Sequence, residues 1–297
     1  MTESPDLPTD AAVDLSVVIP AYNAVDSIGE QLEALLGQGW SGTWEVVVAD
    51  NGSTDGTVAL VDRLARSNSR VRLVDASQRQ GAAFARNRGV EGARGALIAF
   101  CDADDVVADG WLAAIGDALL RWPFVTGPQE YERLNPKWLH GVYGTLPARE
   151  LQIFEGIFPF GPTANLGIDR NLFERVGRFD TSISVYEDLD LCLRVWLHGV
   201  ALKFVPGAVV HYRYRPSLRT LWKQAVTYGA ARPAIARSLA DEGRPMSARW
   251  RGLRNWIWLL RRLPSLRSKA GRARWVVVAG GSAGRIIGSV RHRSLVL

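Results

Sequence analysis

One acidic cluster stands where carboxylates do chemistry. Asp102-Ala103-Asp104-Asp105 closes the apolar run Ala96-Leu97-Ile98-Ala99-Phe100. Such a run predicts a buried parallel strand, and acids at its carboxyl end fall in the crevice where open α/β sheets bind ligands. Asp102 and Asp104 are two apart, so in extended geometry they point to one side. Two carboxylates aimed at one spot repel unless a cation lies between them. A hard divalent ion, which also accepts diphosphate oxygens, meets that need. The plainer alternative is an acidic loop capping a helix from Val106 to Arg121.

The elements that must position these acids read off in order. Leu15-Ser16-Val17-Val18-Ile19-Pro20 is a short buried strand ended by proline. The turn Ala21-Tyr22-Asn23 and a helix from about Ser27 to Gln38 follow. Glu45-Val46-Val47-Val48-Ala49-Asp50 is a second strand ending in an acid. The turn Asn51 to Thr57 is rich in capping residues and leads to a helix ending near Arg66. A third strand, Val71 to Val74, and a helix from Gly81 to Ala93 precede the carboxylate strand. This alternation predicts right-handed βαβ units and a parallel sheet. Neither G-x-G-x-x-G after the first strand nor G-x-x-x-x-G-K-[ST] occurs, so phosphates must be held by a metal rather than a glycine cradle. Asp50 and Asp102, each at a strand end, either accept hydrogen bonds from a base and a ribose or cap the succeeding helices.

Composition narrows the class. An apolar content of 47% over 297 residues supports one large α/β domain with an appendage. The first fifteen residues are polar and acidic, and no run of eighteen apolar residues occurs, so neither a leader nor a spanning helix is expected. Cys101 and Cys192 read as small buried hydrophobes of a reducing compartment. The net charge of +6 hides a division. Residues 1–190 carry 15 Lys and Arg against 28 Asp and Glu, whereas residues 191–297 carry 21 against 2. From Gly243 onward there are thirteen basic residues and no acid. A polyanion or an anionic membrane is the expected partner of that part. Nucleic acid is not expected, because no helix-turn-helix, zinc or RNA-recognition signature accompanies the charge.

Five segments in order resemble glycosyltransferase family 2. They are Val17 to Asn23, Val48 to Thr57, Gly81 to Gly89, Phe100 to Asp105 and Glu187-Asp188-Leu189-Asp190-Leu191. The resemblance covers roughly residues 14–225 and implies a GT-A fold, a Rossmann-like mixed sheet flanked by helices. It implies Mg2+ or Mn2+ as cofactor and sugar transfer with inversion. Carried over residue by residue, it places Pro20, Tyr22 and Asp50 around the nucleobase, with Asn23 among the nucleotide-sugar-binding residues. Arg86 falls near the base or diphosphate, Asp102 near the ribose and Asp104 on the metal, with Asp102 beside it. Trp122 to Phe160 would supply acceptor-side loops and the antiparallel part of the sheet. Gly161 to Ile168 resembles the strand that approaches the donor sugar, with Asn165 as a candidate hydroxyl contact or a loop residue. His211, at the end of a predicted strand from Phe204, is a further candidate metal ligand or a polar edge residue. Family members more often have Gly at 178 and a small residue at 186, so Arg178 and Tyr186 depart from the pattern.

Inversion in one displacement needs a carboxylate opposite the leaving diphosphate to take the acceptor proton. Asp188 is the first candidate and Glu187 the second. Both stand at the start of a predicted helix Leu189 to His198, where acids also favour the helix dipole.

Beyond the catalytic region, Ser217 to Tyr228 reads as a helix with Leu218, Leu221, Trp222, Ala225 and Val226 on one stripe. Pro233 is expected to interrupt or kink any helix continuing past it. Trp250 to Arg262 mixes Trp and Leu with arginine and resembles a segment lying in a membrane interface, or else a helix packed on the core or a partner. The expected organisation is a tail at 1–13, a nucleotide-sugar-binding and catalytic domain at 14–225, and a helical, Arg-rich extension at 226–297. The expected activity is transfer from a nucleoside-diphosphate sugar, UDP or dTDP favoured, to a hydroxyl of a lipid-linked glycan or cell-surface polysaccharide precursor, at the cytoplasmic membrane face through residues 244–297. The rivals are a polyprenyl-phosphate sugar synthase and a silent nucleotide-sugar-binding scaffold.

Overall fold

The computed structural model describes residues 13–143, 150–241, 243 and 251–292. The expected tail at 1–13 and the stretches 244–250 and 293–297 lie almost wholly outside these residues. The chain divides into two compact units, residues 1–130, 148–152 and 159–212, and residues 131–147, 153–158 and 213–297.

In the first unit the strands are β1 (Leu15–Ala21), β2 (Trp44–Asp50), β3 (Val71–Asp75), β4 (Leu97–Phe100), β5 (Val106–Val107), β6 (Phe124–Thr126) and β7 (Gln129–Glu130). After β8 (Gln152–Phe154) and β9 (Phe158–Phe160) come β10 (Leu166–Asp169), β11 (Lys203–Phe204) and β12 (Val210–His211). The helices are α1 (Ile28–Leu36), α2 (Thr57–Ser67), α3 (Ala82–Gly92), α4 (Trp111–Leu119), α5 (Arg170–Arg175) and α6 (Glu187–Leu197). Seven strands form one mixed sheet in the order β11-β6-β10-β4-β1-β2-β3. β4, β1, β2 and β3 are parallel, and β10 runs antiparallel between β4 and β6. The β1 residues Leu15, Val17 and Ile19 pack with Ile28, Leu32 and Leu35 of α1, Val61 of α2 and Trp111, Leu112 and Ile115 of α4. The other face receives α3. A Cβ on Gly89 would stand 2.4 Å from Val18 Cγ1 and 3.3 Å from Ala49 Cβ, so α3 lies on β1 and β2 at a distance only glycine permits. Arg86, one turn earlier, is thereby carried to the carboxyl end of the sheet.

Four sequence expectations are corrected. β1 continues through Pro20 to Ala21 instead of ending there. Ala21 O bonds on the β2 side and Val18 O on the β4 side, so by strand alternation the proline nitrogen faces the β4 side. β4 is paired only as far as Val18, so no ladder bond is lost and the edge of a crevice opens. The helix expected from Val106 starts only at Trp111, after Gly110 in a left-handed conformation. Val106 and Val107 instead form β5, paired with Val210 and His211, so the acids join two strands and do not cap a helix. The chain is also not extended there: Ala103 to Asp105 is a turn. The strand expected from Phe204 to His211 is two strands in different sheets, parted around Pro206-Gly207, where proline offers no donor.

In the second unit the elements are α7 (Leu218–Asp241), α8 (Arg251–Arg261) and α9 (Lys269–His292). Of the two outcomes expected at Pro233, interruption does not occur: α7 runs through it as one helix. Gly280, Gly284 and Gly288 of α9 meet Ala225, Val226 and Ala230 of α7 so closely that a Cβ on Gly284 would stand 2.2 Å from Val226 O. Backbone contact along this small-residue seam holds α7 in place despite the hydrogen bond that proline removes. The 131–158 segments belong to the same unit: Tyr131 stacks on Tyr214, Arg232 pairs with Glu155, and Lys269 stands 4.1 Å over the Trp138 ring.

Candidate active site

The carboxyl ends of β1, β2 and β4 bring together residues distant in sequence. Arg86, only 4% exposed, donates from Nη2 to Asp102 Oδ1 at 2.8 Å and from Nη1 to Glu187 Oε1 at 2.7 Å. Its guanidinium also lies 5.8 Å over the Phe179 ring. Burial alone would lower the pKa of this arginine, but the Asp102 and Glu187 carboxylates outweigh it and raise the pKa. The cation that the acid cluster requires beside Asp102 is thus supplied in part by the chain itself.

Asp188 lies next to this pair in the first turn of α6. Burial, then the charge of Glu187, raises its pKa, while Arg86 and the backbone N–H groups of Leu189 and Thr163 draw it down. The net direction is upward, to about 7. The residue before this turn, Tyr186, is left-handed at φ 69°, as is Arg178 at φ 62°. Glycine suits both positions for a conformational reason, and the residues with a Cβ here carry backbone strain.

Asp50 is 6% exposed, and its Oδ2 accepts from the backbone N–H of Gly52 and Ser53, each at 3.0 Å. Its Oδ1 is buried with no hydrogen-bond partner among the described residues. A buried acceptor left open is costly, and a ligand N–H would satisfy it. Ala21 pairs with Asp50 across the sheet, so Tyr22, 54% exposed, comes directly beside it. Pro20 is half-buried on the same strand. Asn23, at φ 49°, accepts from Thr54 N at 2.8 Å and so ties the first loop to the second.

Asn165 is not brought to this cluster. It is wholly buried, accepting from Trp111 Nε1 at 2.9 Å and donating to Pro128 O at 3.0 Å and Ala208 O at 2.7 Å. Both of its N–H groups are engaged inside the fold.

His211 reaches the acid turn through the small sheet β5-β12-β7. It pairs with Val106, two residues after Asp104, and its Nδ1 lies 2.7 Å from Glu130 Oε2. Among the described residues no three His, Cys, Asp or Glu side chains group closely enough to hold a metal by themselves. A histidine oriented by a carboxylate through one ring nitrogen is nevertheless the usual setting of a metal-ligating imidazole.

Sequence reasoning missed Glu130, Phe179 and Gln31. Gln31 is fully buried on α1, donating to Asp102 O at 3.2 Å and accepting from Val107 N at 2.9 Å, so it pins both ends of the acid turn. A signal for it existed, since an amide interrupts the apolar stripe Ile28, Leu32, Leu35. Nothing in the sequence marked Glu130 as the partner of His211.

The mixed sheet with acids at its carboxyl end is an open α/β domain with a crevice of the kind that takes ligands. The sequence model described as Glycosyl transferase family 2 matches residues 16–177, and that of Glycosyl transferase family group 2 matches residues 97–277. The chain belongs to glycosyltransferase family 2 and has the GT-A fold. It is 27% identical over 214 residues to the glycosyltransferase AglE of Haloferax volcanii, 71% of this chain and 70% of that one. Among solved structures it resembles the mannosyltransferase PcManGT of Pyrobaculum calidifontis in complex with GDP-Man and Mn2+, with a TM-score of 0.66, 22% identity, and 95% and 90% of the two chains covered. It also resembles S. aureus TarS 1-349 in complex with UDP-GlcNAc, with a TM-score of 0.55, 16% identity, and 95% and 93% covered. The chain spans 26% to 70% of the length of the first curated relatives it matches.

Proposed function

We propose that the chain transfers a sugar, with inversion, from a nucleoside-diphosphate donor to an acceptor hydroxyl, with Asp188 as the base. One observation carries this reading. Asp188 sits beside Glu187, and Glu187 is fixed by the same buried Arg86 that holds Asp102 at the end of β4. Ribose-side and acceptor-side carboxylates are therefore set by one rigid guanidinium. A carboxyl group with a pKa raised toward neutrality is suited to accept a hydroxyl proton and then release it. A phosphate acceptor arrives ionised, needs no base and would be repelled by two carboxylates, so the arrangement favours a hydroxyl over the polyprenyl-phosphate rival. A silent scaffold has no use for a base whose burial costs stability.

Asp50 would receive the imide N–H of uracil or thymine on its open Oδ1, with Tyr22 and Pro20 beside the ring. Both neighbours hold nucleotide sugars in their structures, one a GDP-sugar and one a UDP-sugar, so the base is a point for experiment. Asp104 and His211 would hold Mg2+ or Mn2+, which when bound offsets the charge of the departing diphosphate. Arg86 holds Asp102 and Glu187 in place. The acceptor class we infer is a lipid-linked glycan or a cell-surface polysaccharide precursor.

The test is donor turnover. Wild type is expected to hydrolyse UDP-sugars slowly without acceptor and to release UDP faster by transfer when an acceptor is present. Asp188→Asn should lose about 10²- to 10⁴-fold in transfer while still binding nucleotide. Full activity in Asp188→Asn would sink the assignment of the base.

A further inference from the structure

Helix α8 presents a surface that the transfer chemistry does not use. At about 100° per residue, Trp256, Leu260 and Ile257 fall within an arc of about 100°. They are 44%, 68% and 41% exposed, values unusual for three neighbouring large apolar side chains. Arg261 and Arg254, both exposed, occupy the next part of the helix circumference. Leu259 falls about 60° to the other flank of Trp256, is 4% exposed, and its carbonyl accepts from Trp275 Nε1 of α9 at 3.2 Å. The Leu259 flank of α8 is therefore anchored to α9, and the exposed apolar arc runs from Trp256 away from it to the arginines.

We propose that this face of α8, formed by Trp256, Ile257 and Leu260 and rimmed by Arg254 and Arg261, seats on an anionic lipid surface. Charge complementarity selects that occupant: thirteen basic residues and no acid lie from Gly243 to the end of the chain. A nucleic acid would use the arginines and leave the apolar arc in water. A lipid surface uses both, with apolar side chains below the headgroups and guanidinium groups reaching phosphates from flexible stems. Among the described residues no helix is long and apolar enough to cross a membrane, so the contact is a surface one. An apolar arc of three residues binds weakly alone, which makes association depend on anionic lipid and fall with salt. Lipid seating of α8 is independent of the chemistry assigned to the acid cluster.

The test is sedimentation of the full chain with vesicles of phosphatidylcholine alone and of phosphatidylcholine with roughly a third phosphatidylglycerol. The chain is expected to bind the anionic vesicles, to leave the neutral ones, and to be released by high salt. Ile257→Glu with Leu260→Glu should weaken that binding more than about tenfold, with an unchanged melting temperature and unchanged nucleotide binding. Equal binding to both vesicle types, no binding by the wild type, or binding unaffected by the two substitutions would overturn the proposal. So would a concentration-dependent dimer, seen by light scattering, that the same substitutions abolish without any vesicle binding, because the face would then cover a second copy. Competition by a mixed-sequence oligonucleotide that leaves the two-glutamate variant fully active in oligonucleotide binding would likewise assign the charge elsewhere.

Discussion

Two influences of opposite sign meet on Asp188. Burial and the Glu187 charge raise its pKa, and Arg86 lowers it. Activity limited by its ionised form should rise with pH through a limb near 7, the value to which it is pushed. Glu187→Gln removes a repelling charge and should move that limb to lower pH, which a kcat/KM profile will read. A limb that stays in place or moves to higher pH would show that Glu187 does not act through Asp188. Stability runs the other way. A carboxyl group whose pKa is higher in the folded chain binds more protons there than in the unfolded chain, so its contribution falls as pH rises from the ordinary carboxylate range to about 7. Asp188→Asn should therefore be more stable than wild type above neutral pH, by about 1 to 3 kcal/mol in denaturant unfolding, with the difference vanishing in acid. Arg86→Ala leaves Asp102 and Glu187 facing each other without their shared cation and should cost about 3 to 5 kcal/mol, read by denaturant unfolding. The carboxylates were legible as residue types at strand and helix ends. Their joining through Arg86 was not, because no local pattern says that residues 86, 102 and 187 meet.

At the scale of elements, the acid turn is held from behind. Gln31 bonds both Asp102 O and Val107 N, so Gln31→Leu removes two hydrogen bonds and leaves a buried donor and a buried acceptor unmet. Destabilisation of about 1 to 3 kcal/mol is expected, with weaker nucleotide binding in the folded fraction. Gly89→Ala tests the seat of α3: its Cβ would lie 2.4 Å from Val18 Cγ1. Lifting the helix should cost about 1 to 3 kcal/mol despite alanine's better helix propensity. A stability gain instead would show that α3 has room to move. The parallel strands β1 to β4 and the helices between them were readable, since β-branched runs closed by turn residues leave little choice. The short strands were not. Val106-Val107 and Val210-His211 are two residues each, and only their pairing with each other and of Val210-His211 with Gln129-Glu130 makes them strands. At α7, Pro233 signals a break or a kink locally, and the contact of its small residues with α9 accompanies an uninterrupted helix.

For the whole molecule, charge distribution sets the conditions of binding. Residues 1–190, which hold nearly all of the candidate site, have 28 acids against 15 bases. A diphosphate entering there meets net negative charge, and the nearest buried cation, Arg86, is already engaged by two carboxylates. A divalent ion on Asp104 and His211 would supply what is missing. The most direct measurement is calorimetric titration of UDP, dTDP and GDP into wild type, Asp104→Ala and Asp188→Asn, each with Mn2+ and with EDTA. Metal-dependent binding of a nucleoside diphosphate is expected in wild type and retained in Asp188→Asn. In Asp104→Ala it should fall by at least about tenfold, a difference of 1.4 kcal/mol. Binding indifferent to EDTA and to Asp104, or no binding of any of the three nucleotides to the wild type, would contradict a metal-assisted nucleotide-sugar site at the carboxyl ends of these strands.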